Sequence, residues 1–247
     1  MPIYRFADFN VEITPRFKYS RELLTPYKVS ESGEFDFSAT ASEEDIRAEF
    51  ENDKAFPPAY HESLCILRNI SRALSNAGNG FLFHASTVAY KGKAYAFTAA
   101  SGTGKSTHTA LLKKLLGDEL VYVNDDKPFV RYFQNEKTFY AYGNCWNGKH
   151  SLGENVKFPL AAIVFLTRGE KNSVTKITNP LECLPEILSQ TLYPEDEKQA
   201  ENLLNLLQTA FETIPFYKLK CNMESDAPVT SFKKILCDKT GADGGEI

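Results

Sequence analysis

The feature that most constrains this chain is a loop of small residues at 99–107, which separates a strand pattern from a helix pattern. The apolar run 94–98 precedes the loop. Leucines at helical spacing follow it, at Leu111, Leu112, Leu115 and Leu116. Glycines let successive backbone N–H groups turn toward one point, and the first turn of a helix adds its partial positive charge there. In this context the run Gly104-Lys105-Ser106 predicts a phosphate-binding loop.

The predicted nucleotide-binding residues on this loop are contiguous. They are Ser101, Gly102, Thr103, Gly104, Lys105, Ser106 and Thr107. We expect the Lys105 ammonium to reach the outer phosphates of ATP or another nucleoside triphosphate, and the Ser106 hydroxyl to help hold Mg²⁺ between them. The strict pattern has glycine five residues before Gly104, where this chain has Ala99. The alternative interpretation is a surface turn that matches by chance.

Composition limits the class of protein. The 247 residues, 43% of them hydrophobic, suffice for one sizeable core or two tightly joined lobes. A net charge of −4 argues against a nucleic-acid partner, because phosphate backbones require clustered Lys and Arg. The longest apolar run, 160–166, is too short to span a bilayer, so we expect no membrane partner. Five cysteines without a Cys-x-x-Cys pair, and a start without a signal-peptide pattern, predict reduced thiols and a cytoplasmic protein.

The chain before the loop divides into strand-like and helical parts. Short alternating runs broken by proline and glycine predict strands and turns over the first sixty residues. An acidic stretch at 43–53 is a metal or partner site or a solvated face, and the lack of nearby histidine ligands favours the face. Apolar residues at helical spacing after Pro57-Pro58 predict a helix. We therefore expect a strand-rich extension plus docking helix at 1–78, the domain carrying the loop at 79–237, and a tail at 238–247.

A histidine is predicted to lie beside the loop. Residues 81–90 form a strand pattern, and a short turn around Gly92 leads into the strand that precedes the loop, which predicts a hairpin. Antiparallel pairing about that turn sets His84 opposite Ala99 or Ala100, with its imidazole in reach of the phosphate site. The alternative is a core histidine bonded to a backbone carbonyl.

Two carboxylates follow the next strand pattern. Asp125 and Asp126 come directly after the apolar run 120–123 and Asn124. A strand, helix and strand in this order predict a parallel pair whose carboxyl ends meet at one edge of the sheet. Phosphoryl transfer needs a carboxylate to hold Mg²⁺ and commonly another to accept the proton of the attacking hydroxyl. We assign Asp125 as the base and Asp126 as the metal carboxylate, although the reverse assignment and a turn-forming pair stay open.

A polar loop at 143–150 supplies further candidates, since loops at strand ends commonly hold substrates. Lys149 is predicted to neutralise phosphate charge during transfer, His150 to contact the substrate, and Trp146 to line an acceptor pocket. Arg168, just beyond the buried strand pattern at 160–166, is a further candidate phosphate ligand. The alternative for each of them is ordinary packing or exposure at the surface.

As a set, these motifs resemble the catalytic domain of HPr kinase/phosphorylase. That family has a strand histidine, a Gly-x-Gly-Lys-Ser loop and an Asp-Asp pair in the order of His84, residues 102–106 and Asp125-Asp126 here. The resemblance covers roughly residues 80–222. It implies an α/β P-loop fold of the phosphoenolpyruvate carboxykinase type, with a mixed sheet flanked by helices. It also implies ATP and Mg²⁺ between loop and aspartates, Asp125 as base toward a serine hydroxyl, and His84 near the transferred phosphate.

The departures from that family limit the substrate. The family has glutamate after its loop serine, where this chain has Thr107. We identify no counterpart of the family's downstream Arg-Gly signature, which contacts the protein substrate. We therefore do not expect HPr itself as the acceptor, nor carboxykinase activity. The prediction is an ATP-dependent kinase acting on a serine-type hydroxyl of a protein, peptide or small molecule. The alternatives are a nucleotide-sensing module without turnover and an ATPase, and the resemblance leaves a homo-oligomer open.

Overall fold

The first part of the chain forms a small sheet with helices packed beside it. The computed structural model describes residues 1–194, 196–222 and 224–236. The sheet has the strand order β3-β1-β2-β4. Its strands are β1 Ile3–Phe6, β2 Phe9–Glu12, β3 Lys28–Ser30 and β4 Phe37–Ser38. The helices of this part are α1 Lys18–Leu24, α2 Glu43–Asn52 and α3 Pro58–Asn76.

The acidic stretch forms α2, which the strand-and-turn prediction for this region did not include. The Ser42 hydroxyl caps the helix by accepting a hydrogen bond from the Asp45 N–H at 3.0 Å. The acidic residues of the first turn lie at the positive end of the helix dipole, where negative charge is stabilising. No group of three or more potential metal-ligating side chains occurs among the described residues. Glu43, Glu44, Asp45 and Glu51 are exposed to solvent, which agrees with the solvated-face interpretation.

The larger sheet is mixed and is flanked by helices, as predicted for an α/β fold. Its strands are β5 Gly80–Leu82, β6 Ser86–Tyr90, β7 Lys93–Thr98, β8 Leu120–Asn124, β9 Phe129–Phe133, β10 Thr138–Tyr142, β11 Lys157–Arg168, β12 Ser173–Lys176 and β13 Phe216–Cys221. The order is β5-β9-β10-β11-β7-β6-β8, with β13 pairing β11 and β12 pairing β13. The helices are α4 Lys105–Leu116, α5 Leu184–Ser189, α6 Glu197–Thr213 and α7 Ala227–Ser231.

The prediction that β7 and β8 form a neighbouring parallel pair is wrong in one respect. β6 lies between the two strands and pairs antiparallel with both of them. The reason is the hairpin: a two-residue turn at Lys91-Gly92, both with positive φ, folds β6 back onto β7 and leaves its other edge for β8. β7 and β8 still run in the same direction. Their carboxyl ends therefore meet at one edge of the sheet, together with those of β11 and β13.

The strand predicted at 81–90 is interrupted. β5 pairs with β9, whereas β6 pairs with β7 and β8, so the chain changes partners at 83–85. The backbone N–H groups of this break are satisfied by carbonyls from other segments. Phe83 donates to Pro128 O at 3.1 Å, and His84 donates to Gln190 O at 2.7 Å. The break places His84 at the edge of the sheet where β8 ends.

The two parts of the chain share apolar packing. One buried cluster joins side chains of the first sheet and α3 to Leu82, Phe129, Tyr142 and Trp146. The predicted boundary at 78/79 falls between α3 and β5, and the predicted tail at 238–247 lies outside the described residues, as does Cys237. None of the helices among the described residues combines the length and the hydropathy of a membrane span.

Candidate active site

The glycine-rich loop connects β7 to α4 and has the backbone that a phosphate cradle requires. Gly102 and Gly104 have φ values of +75° and +123°, which L side chains rarely adopt. No atom of the described residues lies within 4 Å of a Cβ added at either glycine, so the space in front of them is open. Ala99 does not have positive φ, so alanine is compatible with the backbone at the position where the strict pattern has glycine.

Lys105 is the first residue of α4, and its side chain is buried. Its ammonium Nζ donates a 2.9 Å hydrogen bond to the carbonyl oxygen of Ala99, at the start of the loop. Burial lowers the pKa of Lys105, and the negative charge of Asp126 partly opposes that effect. The cation is therefore held beneath the open loop, close to one of the two predicted carboxylates.

Asp125 follows β8 directly and is 2% exposed. Its Oδ1 accepts a 2.6 Å hydrogen bond from the backbone N–H of Gly148. Its Oδ2 is buried and has no hydrogen-bond partner among the described residues. Burial raises the pKa of Asp125, the N–H of Gly148 opposes the rise, and the charge of Asp126 adds to it. One oxygen of this carboxylate is thus held in place, while the other is buried without a hydrogen-bond partner among the described residues.

Asp126 has the opposite electrostatic environment. Its Oδ1 lies 3.2 Å from the imidazole Nε2 of His84, and its Oδ2 contacts the ammonium of Lys127. Burial alone would raise its pKa, but the hydrogen bonds from His84 and Lys127 outweigh it and lower the pKa to about 2. Asp126 is therefore ionised at neutral pH. The two neighbouring carboxylates therefore have pKa values shifted in opposite directions.

Asn124 orients the turn that carries Asp126, and the sequence did not predict this role. Its buried side chain accepts hydrogen bonds through Oδ1 from the N–H groups of Asp126 at 2.9 Å and Lys127 at 2.6 Å. Its Nδ2 donates to Oδ1 of Asn144 at 3.1 Å. The available signal was an asparagine at the start of a turn, where its side chain commonly bonds to backbone two residues on.

His84 lies close to where the hairpin register predicts. The pairing of Ser86 with Phe97, continued by two residues, sets His84 opposite Ala99. Its imidazole is bonded to Asp126 rather than to a backbone carbonyl, and its side chain is 35% exposed. The histidine thus reaches the loop site through the carboxylate of Asp126.

The loop at 143–150 packs across the end of β8. Trp146 is buried, and its indole Nε1 donates a 2.9 Å hydrogen bond to Ser63 O. It also lines the same cavity as Asp125. Lys149 and His150 are exposed and line the same cavity as Asp125. The loop therefore brings Lys149 and His150 to the cavity and supplies the Gly148 N–H that holds the carboxylate.

Arg168, the predicted further phosphate ligand, ends β11 beside the loop. Its guanidinium donates to the carbonyl oxygens of Gly102 at 2.6 Å and Thr103 at 3.4 Å. In this structure Arg168 therefore supports the loop backbone.

One cavity of about 720 Å³ collects nearly all of the predicted site residues. Those lining it are His84, Ser101, Gly102, Gly104, Lys105, Ser106, Thr107, Asp125, Asp126 and Lys149. Thr103 is the exception. It lines two neighbouring cavities of about 610 and 620 Å³, which share Gly102 with the first cavity. The arrangement combines an open anion cradle, a buried cation and two unlike carboxylates.

Comparison with known proteins gives a distant similarity. No family model matches the chain, and no curated protein is similar to it. Among solved structures, it is similar to the HPr(Ser) kinase/phosphatase from Coxiella burnetii, with 14% sequence identity and a TM-score of 0.31. The alignment covers 60% of this chain and 89% of that chain. The chemistry of the candidate site therefore has to follow from its own residues.

Proposed function

We propose that this protein is an ATP-dependent kinase resembling HPr kinase, which transfers the terminal phosphoryl group to a serine-type hydroxyl on a protein, peptide or small molecule. One observation carries the proposal. The buried carboxylate of Asp125, with an unbonded Oδ2, lines the same cavity as the glycine-rich loop and Lys105. A proton acceptor beside a phosphate cradle is what transfer to a hydroxyl requires.

The residues present fit a triphosphate and a divalent cation. The open space before Gly102 and Gly104 leaves the loop N–H groups accessible to phosphate oxygens. Ser106 and the ionised Asp126 supply the hydroxyl and carboxylate oxygens that Mg²⁺ prefers. The ion would neutralise charge on the phosphate oxygens when bound. Asp126 would then exchange its contact with Lys127 for the ion, and Lys127 and Lys149 would remain as further cations near the phosphates.

Asp125 acts as the base in the transfer. The hydroxyl oxygen of the acceptor forms a bond to the terminal phosphorus, the bond from that phosphorus to the oxygen of the ADP leaving group breaks, and the hydroxyl proton moves to Oδ2 of Asp125. A carboxylate with a raised pKa is better matched to accept this proton than an ordinary aspartate. We assign His84 to hold Asp126 in position near the transferred group.

The test is nucleotide binding followed by turnover. Calorimetric titration with ATP and Mg²⁺ measures binding, and ADP release is then followed with candidate hydroxyl acceptors. We expect Asp125→Asn to bind ATP but to transfer at least about 100-fold more slowly, the usual loss for a general base. The control, Asp118→Asn, changes a fully exposed carboxylate and should match the wild type. Binding without turnover would support a nucleotide-sensing module instead, and acceptor-independent phosphate release an ATPase.

A further inference from the structure

The 720 Å³ cavity has two chemically different halves. Every Asp, Lys and His side chain that lines it belongs to the segment 84–150. The side chains that reach it from the N-terminal part carry no carboxylate, ammonium, guanidinium or imidazole. They are Tyr19, Leu23, Phe56, Tyr60, Ser63 and Leu64. The polar half accounts for the phosphoryl donor, and the uncharged half is left without a role.

The uncharged half exposes aromatic surface. Tyr19 and Phe56 are 45% and 46% exposed, and the Phe56 ring stacks on the Tyr60 ring with 4.6 Å between the ring centroids. Among the described residues, no hydrogen bond engages the phenol hydroxyls of Tyr19 and Tyr60. Aromatic rings with a free polar tip are typical of surfaces that bind chains carrying both apolar and amide groups.

This surface is held rigidly against the reacting groups. The buried carboxylate of Glu62 accepts hydrogen bonds from the N–H groups of Arg16 at 2.6 Å and Phe17 at 3.1 Å, which fixes the start of α1 on α3. The carbonyl oxygen of the next residue, Ser63, accepts a hydrogen bond from the indole N–H of Trp146. Trp146 lies two residues before Gly148, which holds Asp125. A short chain of hydrogen bonds therefore connects the aromatic surface to the predicted base.

We propose that Tyr19, Leu23, Phe56, Tyr60 and Leu64, the apolar wall, form the acceptor subsite. Its occupant is a peptide segment in which the hydroxyl-bearing residue has aliphatic or aromatic neighbours. The rings pack on the apolar neighbours, and the phenol hydroxyls are free for the peptide amides. This inference rests on the proposed kinase function.

The test compares three acetylated and amidated pentapeptides with a central serine. The serine is flanked on both sides by Leu-Phe, by glycines or by lysines. We expect the Leu-Phe peptide to have a KM at least about tenfold below the other two. Phe56→Ala and Tyr19→Ala should raise that KM about tenfold, as for truncation of an interface anchor, and leave the KM for ATP unchanged. Phe35→Ala is the control, since Phe35 is 48% exposed and does not line the cavity.

Direct binding of the same peptides, measured by calorimetry with ATP and Mg²⁺ present, keeps this inference separate from the kinase proposal. Tighter binding of the Leu-Phe peptide that Phe56→Ala weakens supports the apolar wall even without turnover, in which case only the kinase proposal fails. Equal binding of all three peptides overturns the inference. So does a small hydroxy compound, such as free serine, with a lower KM than the Leu-Phe peptide.

Discussion

The backbone N–H of Gly148 holds Oδ1 of Asp125 at 2.6 Å. This bond joins the loop after β10 to the turn after β8, and it leaves Oδ2 buried without a partner among the described residues. A Cβ at position 148 would lie 3.2 Å from Oδ2, which is tighter than ordinary van der Waals contact. Glycine at this position therefore allows the loop to approach the carboxylate closely enough to orient it.

We expect Gly148→Ala to lower the rate of phosphoryl transfer roughly tenfold, because the added methyl group displaces the Asp125 carboxylate by a fraction of an ångström. The control is Gly33→Ala, whose added Cβ would lie at an ordinary 3.6 Å from Ser30 Oγ. Initial rates and thermal unfolding are measured for both variants. An unchanged rate in Gly148→Ala would contradict the positioning role of this glycine.

Asp125→Asn should raise the free energy of unfolding at pH 7. The folded-state pKa of Asp125 is raised, so the stability that the protonated form contributes is lost as pH rises through that pKa. A neutral amide avoids burying the charge, and its oxygen can still accept the Gly148 hydrogen bond. Urea unfolding at pH 7 measures the shift. A lower midpoint than wild type would contradict this expectation.

Asp126→Asn should change stability in the opposite direction. Its pKa of about 2 lies below the ordinary value of 3.8, so its contribution is present above pH 3.8 and is lost as pH falls through 2. The difference corresponds to about 2 kcal/mol of stability at pH 7. The same urea titration tests it, and equal midpoints for Asp126→Asn and wild type would rule out a stabilising pair with His84 and Lys127.

Lys105→Ala should keep the fold and abolish measurable transfer. The ammonium is the buried cation beneath the open loop, and removing a preorganised charge of this kind costs at least about 100-fold in rate. Lys114→Ala, on the exposed side of the same helix, is the matched control. Circular dichroism establishes folding, and ADP release with an acceptor present measures activity. Full activity in Lys105→Ala would refute the phosphate-loop assignment.

His108 should make the protein less stable in mild acid. It is 2% exposed, its Nε2 lies 2.9 Å from Ser231 Oγ, and burial lowers its pKa to about 4. Neutral His108 makes its full contribution to stability above pH 6.5, the ordinary pKa of histidine. That contribution, about 3 kcal/mol, is lost as pH falls through 4. His108→Gln should flatten this part of the stability profile, measured by urea unfolding between pH 7 and 4. The exposed His150→Gln is expected to leave it unchanged.

Much of the fold around the site was predictable from local sequence patterns. The strand before the loop, the glycines with positive φ and the helix from Lys105 were predictable, because each depends on backbone preferences within a few residues. The hairpin around Gly92 was predictable for the same reason, and its register indicated where His84 would lie. The Asp125-Asp126 pair was placed at the correct edge even though β6 separates β7 from β8, since strand direction alone determines that edge.

By itself, then, the sequence determined the loop, the helix that follows it and the set of charged groups at one sheet edge. Tertiary structure alone decided that Gly148 holds Asp125, that Asn124 bonds to the backbone of Asp126, and that aromatic side chains of α1, α3 and the segment before α3 line the cavity. These contacts join segments that are far apart in the chain or bond a side chain across a turn. They depend on how complete elements pack, and no spacing within a single segment encodes that packing.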